Sequence, residues 1–198
     1  VFLRHDSDLL DRSKSQMLMR SVWERATHSS VSPYRTGIDS VTDLGAFGYY
    51  LEHLNIIAGV SCALGDSRFT DLNVRISAHL NEMSLTQKNA HARLLPHVKM
   101  RWSADQAAIL KSLWLCDKNH QTNFHAEPAK RWLAFMSEKM RDAETGLFQT
   151  EAMRVKRYSQ QPRGCAQAYM IHYLQSFAPE AAEEQWGLFK DHMLVSSV

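Results

Sequence analysis

Several features are missing from this 198-residue chain, and each absence removes a class of answer. No short run alternates apolar and polar side chains with β-branched enrichment, so sheet has little sequence support. No internal repeat is visible, which excludes regular helical arrays with a recurring motif. No apolar run approaches the ~20 residues needed to cross a bilayer. The most apolar stretch, Ile56 to Leu64, is far shorter and is interrupted by Gly59 and Ser61. No signal-peptide pattern opens the chain. It starts with Val1 rather than Met, which reads as a trimmed or processed piece whose targeting information is lost.

Cysteine is scarce, and its three positions, Cys62, Cys116 and Cys165, lie far apart in sequence. An odd, scattered set argues against a disulfide framework and leans towards a reducing, cytoplasmic compartment; the missing native start leaves a periplasmic one open. No Cys-x-x-Cys or His-Glu-x-x-His motif points to a metal. Charge bias is also lacking. Lys and Arg number 23 against 21 Asp and Glu, for a net charge of +2. No basic cluster is dense enough to track a phosphate backbone, so nucleic acid is not an expected partner. "RVKRY" at 154–158 reads as a solvated loop face.

What is present is helical. Hydrophobic residues make up 44% of the chain, with five Trp and nine Met to fill a sizeable core. The apolar spacing predicts helices over about 6–26, 41–64, 67–84, 103–117, 127–142, 163–177 and 179–194. Asp6 or Ser7 is the expected N-cap of the first and Ser103 of the fourth. Pro128 and Pro179 suit helix starts. Gly65 suits a helix end, and Gly146 a positive-φ turn in "DAETGLF".

The connections alternate in length. Short links after the second and sixth helices favour antiparallel neighbours. Long segments, about 27–40, 85–102 and 143–162, precede the second, fourth and sixth, and segments of that length are usually functional. If neighbours alternate up and down, the even helices form one layer and the odd helices another. The three long segments then gather at one rim, together with three helix starts. The fold class expected is all-α: one domain of antiparallel helix pairs in two layers, an α-solenoid or an α/α toroid.

Each helix start at that rim carries chemistry-bearing residues. "SVTDLGAFGYYLEH" offers Asp43, Tyr49, Tyr50 and His53. "RWSADQAAIL" offers Arg101, Trp102 and Asp105. "PRGCAQAYM" offers Arg163, Cys165 and Tyr169. Each also has an ordinary reading. A first-turn acid complements the helix dipole, a helical cysteine is often a small buried hydrophobe, and an arginine often pairs with an acid. Cys62 and Cys116 sit on apolar faces and read as core. His91, His97, His120 and His125 lack ligand spacing. The functional reading draws on convergence. Two carboxylates at one rim can divide acid and base roles. A thiol at a helix N-terminus beside Arg163 would favour its thiolate. Tyr and Trp would line a pocket with an apolar body and a polar handle.

"YRTGIDSVTDLGAFGYYLEHLNIIAG", "RWSADQAAILKSL", "DAETGLF" and "PRGCAQAY", in this order, resemble the (α/α)6-barrel superfamily, and within it linalool dehydratase/isomerase-like proteins. The resemblance spans roughly 33–194. It implies inner and outer rings of helices with the site at the inner N-termini, and acid–base chemistry on an alcohol without metal or organic cofactor. It places Asp43, Tyr49 and Cys165 at matching positions. "TGLF" and "RG" also recur in unsaturated-glucuronyl-hydrolase-like barrels, whose acid would correspond to Asp105. Seven helices are about half of such a barrel, so the remainder would come from further sequence or an oligomeric partner, and the open face would ask for cover. Three functions follow as expectations. One is a cofactor-independent lyase or isomerase acting on an alcohol or polyol: Asp105 and Asp43 as acid and base, Cys165 and Tyr49 as proton carriers, Arg163 binding an anionic group. Another is a glycan-processing hydrolase or lyase, with Trp102, Tyr50 and Tyr169 stacking on sugar. The third is a non-catalytic scaffold binding a protein partner.

Overall fold

The computed structural model describes residues 11–92, 94–95, 100–153 and 162–194. Among these the chain is predominantly helical, in the order α1 Arg12–Thr27, α2 Gly48–Ala63, α3 Thr70–Leu85, β1 Met100–Trp102, α4 Ser103–His120, α5 Ala126–Lys139, β2 Glu151–Met153, α6 Gly164–Leu174 and α7 Pro179–Met193. The all-α expectation holds, and each predicted helix has a counterpart.

The boundaries differ in instructive ways. Asp11 is extended (φ −51°, ψ 132°) and its carboxylate accepts the Ser13 N–H at 3.0 Å, so it caps α1. The helix predicted from residue 6 therefore begins at Arg12; Asp6, Ser7 and the rest of 6–10 lie outside the described residues. α2 starts later than predicted, because Asp43 accepts the Gly45 N–H at 2.8 Å and Gly45 adopts φ +60°, which folds that segment into a turn. Ser103 is the first helical residue of α4 rather than its cap, and its hydroxyl donates to the Gln149 carbonyl at 2.7 Å. Gly146 takes the expected positive φ, +72°. Pro179 opens α7 as expected.

β1 and β2 were not anticipated. They pair antiparallel, with Arg101 opposite Ala152 and Trp102 opposite Glu151. Three residues each are too short to show a period-2 pattern.

α4 is the centre of the packing. It lies against α2, α3 and α6, while α2 also packs on α1 and α3, and α6 on α7. Its buried residues run almost all round the helix, including Ala107, Ile109, Leu110, Leu113 and Cys116. A helix apolar on most sides has no preferred solvent face and settles in the interior. Trp132 and Met136 of α5 and Phe148 add bulk to the same core.

A buried polar knot fixes how α2, α3 and α4 meet. The Asn55 side-chain amide donates to Ser77 at 2.9 Å and to Ser112 at 3.0 Å, and its oxygen accepts from Asn73 at 2.7 Å. All four residues are fully buried. Polar groups withdrawn from water must find partners, and here each helix supplies one for its neighbours, which selects one register.

Candidate functional site

The starts of α2, α4 and α6 are tied to common segments. The Thr150 carbonyl accepts the Ser103 N–H at 3.0 Å, opening α4, and the Thr150 hydroxyl accepts the Arg163 N–H at 2.8 Å, opening α6. The α2 start is held differently. Gly48 lies so close to Leu94 that an added Cβ would sit 3.2 Å from the Leu94 Cα. The segment around Leu94 is in turn fixed to α4, since the Ala92 N–H donates to Gln106 Oε1 at 2.8 Å. His91, fully buried, donates from Nε2 to the Trp102 carbonyl at 3.1 Å, with its ring edge-on to Trp132 and Phe135. A backbone carbonyl only accepts, so Nε2 carries a hydrogen, and burial keeps the ring neutral. Burial drives its pKa down to about 4.

Two carboxyl groups meet near these ends. Glu52, in the second turn of α2, is fully buried, and no hydrogen-bond donor among the described residues reaches either of its oxygens. Its neighbour is Asp105, in the first turn of α4, half-buried and within hydrogen-bonding reach. Two carboxyl groups bond to each other only if one keeps a proton. Burial first, then the Asp105 charge and the bond to Asp105, push the Glu52 pKa well above the usual carboxylate range. Burial also raises Asp105, while the bond from Glu52 and the nearby His53 pull it back. Glu52 therefore holds the shared proton and Asp105 carries the charge, as in other close carboxyl pairs.

Aromatic side chains frame the pair. His53 is half-exposed, and its Nε2 lies 3.4 Å from Glu52 Oε1, a contact that becomes an ion pair only on protonation. Its pKa is lowered by burial, with Asp105 pulling the other way. Tyr49 stands perpendicular to His53, ring centres 5.8 Å apart. From α6, Tyr169 stacks on Tyr173 at 6.4 Å. Tyr173 is pushed up to about 12 by burial and by the charges of Glu52, Tyr169, Asp105 and Tyr49. Tyr49 and Tyr169 are more than half exposed, so the frame opens to solvent.

The structure thus brings together Asp105, His53, Tyr49 and Tyr169 from the sequence-derived candidates. It places the others elsewhere. Asp43 is exposed in its turn and lines a separate depression of about 450 Å³ with His79 and Glu82. Tyr50 donates to the Ala26 carbonyl at 2.9 Å, tying α2 to α1. Arg163 pairs with Glu151, which is the ordinary reading of that guanidinium. Arg101 donates to Gln87 at 2.9 Å, and Trp102 packs against the core. Cys165 is free and exposed at the α6 start. Cys116 is buried as expected, whereas Cys62 is half-buried. His97 and "RVKRY" lie outside the described residues.

Glu52 and Tyr173 are the members that sequence reasoning missed. A signal existed for Glu52: it shares the stripe of Gly48, Leu51, Asn55 and Gly59, all buried, so helical periodicity alone puts a carboxylate on the inner face. Tyr173 is one helical turn beyond Tyr169, on the same side of α6.

The chain matches no protein-family model and no curated protein sequence. The geometry itself is therefore what speaks about function.

Proposed function

We propose that the chain carries the acid–base centre of a lyase- or isomerase-type enzyme acting on an alcohol or polyol, with the Glu52–Asp105 pair at its heart. The observation that carries this reading is the buried pair itself: two carboxyl groups in hydrogen-bonding reach, with Glu52 sealed from solvent and neither of its oxygens accepting a hydrogen bond among the described residues. Asp105, which is reachable from solvent, touches the substrate. Glu52 acts behind it as a proton reservoir. In a dehydration, the pair delivers its proton to the departing hydroxyl as water and takes one from the adjacent carbon. It ends as it began, so one site supplies both acid and base. In an isomerisation the same water adds back at another carbon. Independence from metal and organic cofactors belongs to the family resemblance.

α4 packs between α2 and α6, with α1, α3 and α7 against this row, which supports reading the row as inner helices of an (α/α)6 barrel with outer partners. On this reading further helices close the ring over the open tyrosine frame.

The test is turnover of a panel of allylic alcohols and polyols, followed by chromatography of dehydrated and isomerised products. Asp105→Asn is expected to lower the rate by at least ~100-fold with the melting temperature nearly unchanged. Retained activity with a large loss of stability sinks the assignment. A glycan substrate is the second reading, favoured by the exposed rings of Tyr49 and Tyr169 beside the carboxyl pair. Stabilisation of the fold by oligosaccharides but not by simple alcohols separates the two.

A further inference from the structure

Among the described residues, the Glu52–Asp105 site is anionic and no Lys or Arg acts on it. The titratable groups coupled to the pair are His53 and Tyr173, neither of which carries a lasting positive charge. With one proton shared, the pair carries a single negative charge. Glu52 is fully buried, and neither oxygen accepts a hydrogen bond among the described residues, although buried polar atoms ordinarily do. Tyr173 of α6 lies within electrostatic reach of both carboxyls and stacks on Tyr169, while Tyr49 of α2 stands against His53. Ring faces attract cations, and carboxylates form their strongest hydrogen bonds with charged N–H donors. His53 supplies no lasting positive charge at neutral pH, since burial lowers its pKa.

We infer that this site binds a protonated primary amine, a small organic ammonium whose N–H groups face the carboxyl pair and whose apolar body lies against Tyr49 and Tyr169. The inference rests on the pair being a ligand-facing site, as in the proposed function, but not on any turnover. It narrows the substrate class: an amino alcohol, carrying both groups, satisfies the carboxyl pair better than an uncharged alcohol. A monocation balances the single charge of the pair. The N–H donors meet the Asp105 carboxylate, the member of the pair that solvent reaches. The exposed rings leave the ligand body partly in water, so a small aromatic amine is enough to fill the frame.

The experiment titrates the whole chain with benzylammonium, its uncharged counterpart benzyl alcohol, and tetramethylammonium, which has charge but no N–H. Binding is followed by the NMR signals of tyrosine rings. The expected result is saturable binding of benzylammonium, about tenfold tighter than benzyl alcohol and than tetramethylammonium. Asp105→Asn, with its fold checked by circular dichroism, is expected to abolish that preference. Tyr169→Ala removes an exposed ring without disturbing the core and is expected to weaken benzylammonium binding several-fold. Equal binding of benzyl alcohol, equal binding of tetramethylammonium, or preference retained in Asp105→Asn overturns the inference. So does absence of binding. Turnover of alcohols without ammonium binding would refute the inference and leave the proposed function standing. Ammonium binding without turnover of any alcohol or polyol does the reverse.

Discussion

His91 offers the sharpest stability test, because one buried ring secures the segment on which the α2 and α4 starts rest. Its Nε2–H is bonded to the Trp102 carbonyl, and its other nitrogen has no partner among the described residues. Protonation would put a charge in full burial between Trp132 and Phe135, with Arg101 adding repulsion. Folded His91 therefore titrates at about 4 against 6.5 for the ordinary group. Between those values the unfolded chain binds the proton and the folded chain does not, so stability falls as pH drops. At about 1.4 kcal/mol per pH unit, the separation is worth about 3 kcal/mol below pH 4, about 2 at pH 5 and about 1 at pH 6. His53 and His125 are also lowered by burial and act in the same direction. The difference between the wild type and His91→Gln removes their contribution, and the glutamine amide still has an N–H for the Trp102 carbonyl. Urea unfolding at pH 7, 6, 5 and 4 gives the two stability curves. The variant is expected to lose less stability on acidification, by the amounts above. Parallel curves between pH 7 and 4 would show that His91 is not held neutral and that the packing argument is wrong.

Two further perturbations probe the polar interior. Glu52→Gln reverses the pH argument: a carboxyl whose folded pKa is raised makes the wild type lose stability as pH rises from the ordinary value of 4.5, whereas glutamine does not titrate. The variant's advantage over the wild type should therefore be absent in acid and grow towards neutral pH in thermal unfolding; a gap that does not change with pH contradicts a proton held on Glu52. Asn55→Ala strips partners from Ser77, Ser112 and Asn73 at once, and buried groups left unpaired cost about 1–3 kcal/mol each before relaxation. A loss of at least ~2 kcal/mol in urea unfolding is expected, and a change under ~0.5 kcal/mol would mean that water replaces the amide.

The helices were legible because their signal is local. Apolar spacing, Pro179 at a helix start and Gly146 at a turn each act within a few residues, and the structure keeps them. The shared rim was legible from loop lengths, and Thr150 provides its physical form by bonding both the α4 and α6 starts. Site membership was less legible, because it depends on which way each side chain points. Tyr49 and Tyr50 are adjacent in sequence, yet one stands against His53 and the other bonds back to α1. Asp43 reads as a first-turn acid only if α2 begins at 41, and the helix begins at Gly48. Its turn hydrogen bond to Gly45 places it ahead of the helix. Arg163 went to Glu151, a residue of an unforeseen strand.

Asp105 on its own needs no functional account, since an acid in the first turn of α4 is favoured by the helix dipole. Glu52 does not share that explanation. It lies a turn inside α2, away from the unsatisfied N–H groups that end the helix, and it is fully buried. A carboxyl buried in this way costs stability, and the cost is lowered by keeping the proton, which burial first and then the charge of Asp105 enforce. An apolar residue of similar size on the stripe of Leu51 and Asn55 would pack there without that penalty. Carrying an acid inside, held protonated and set against a charged, solvent-reachable partner, makes sense where a proton has to be stored next to the surface. On the proposed function, Asp105 is the face of that store and Glu52 its content.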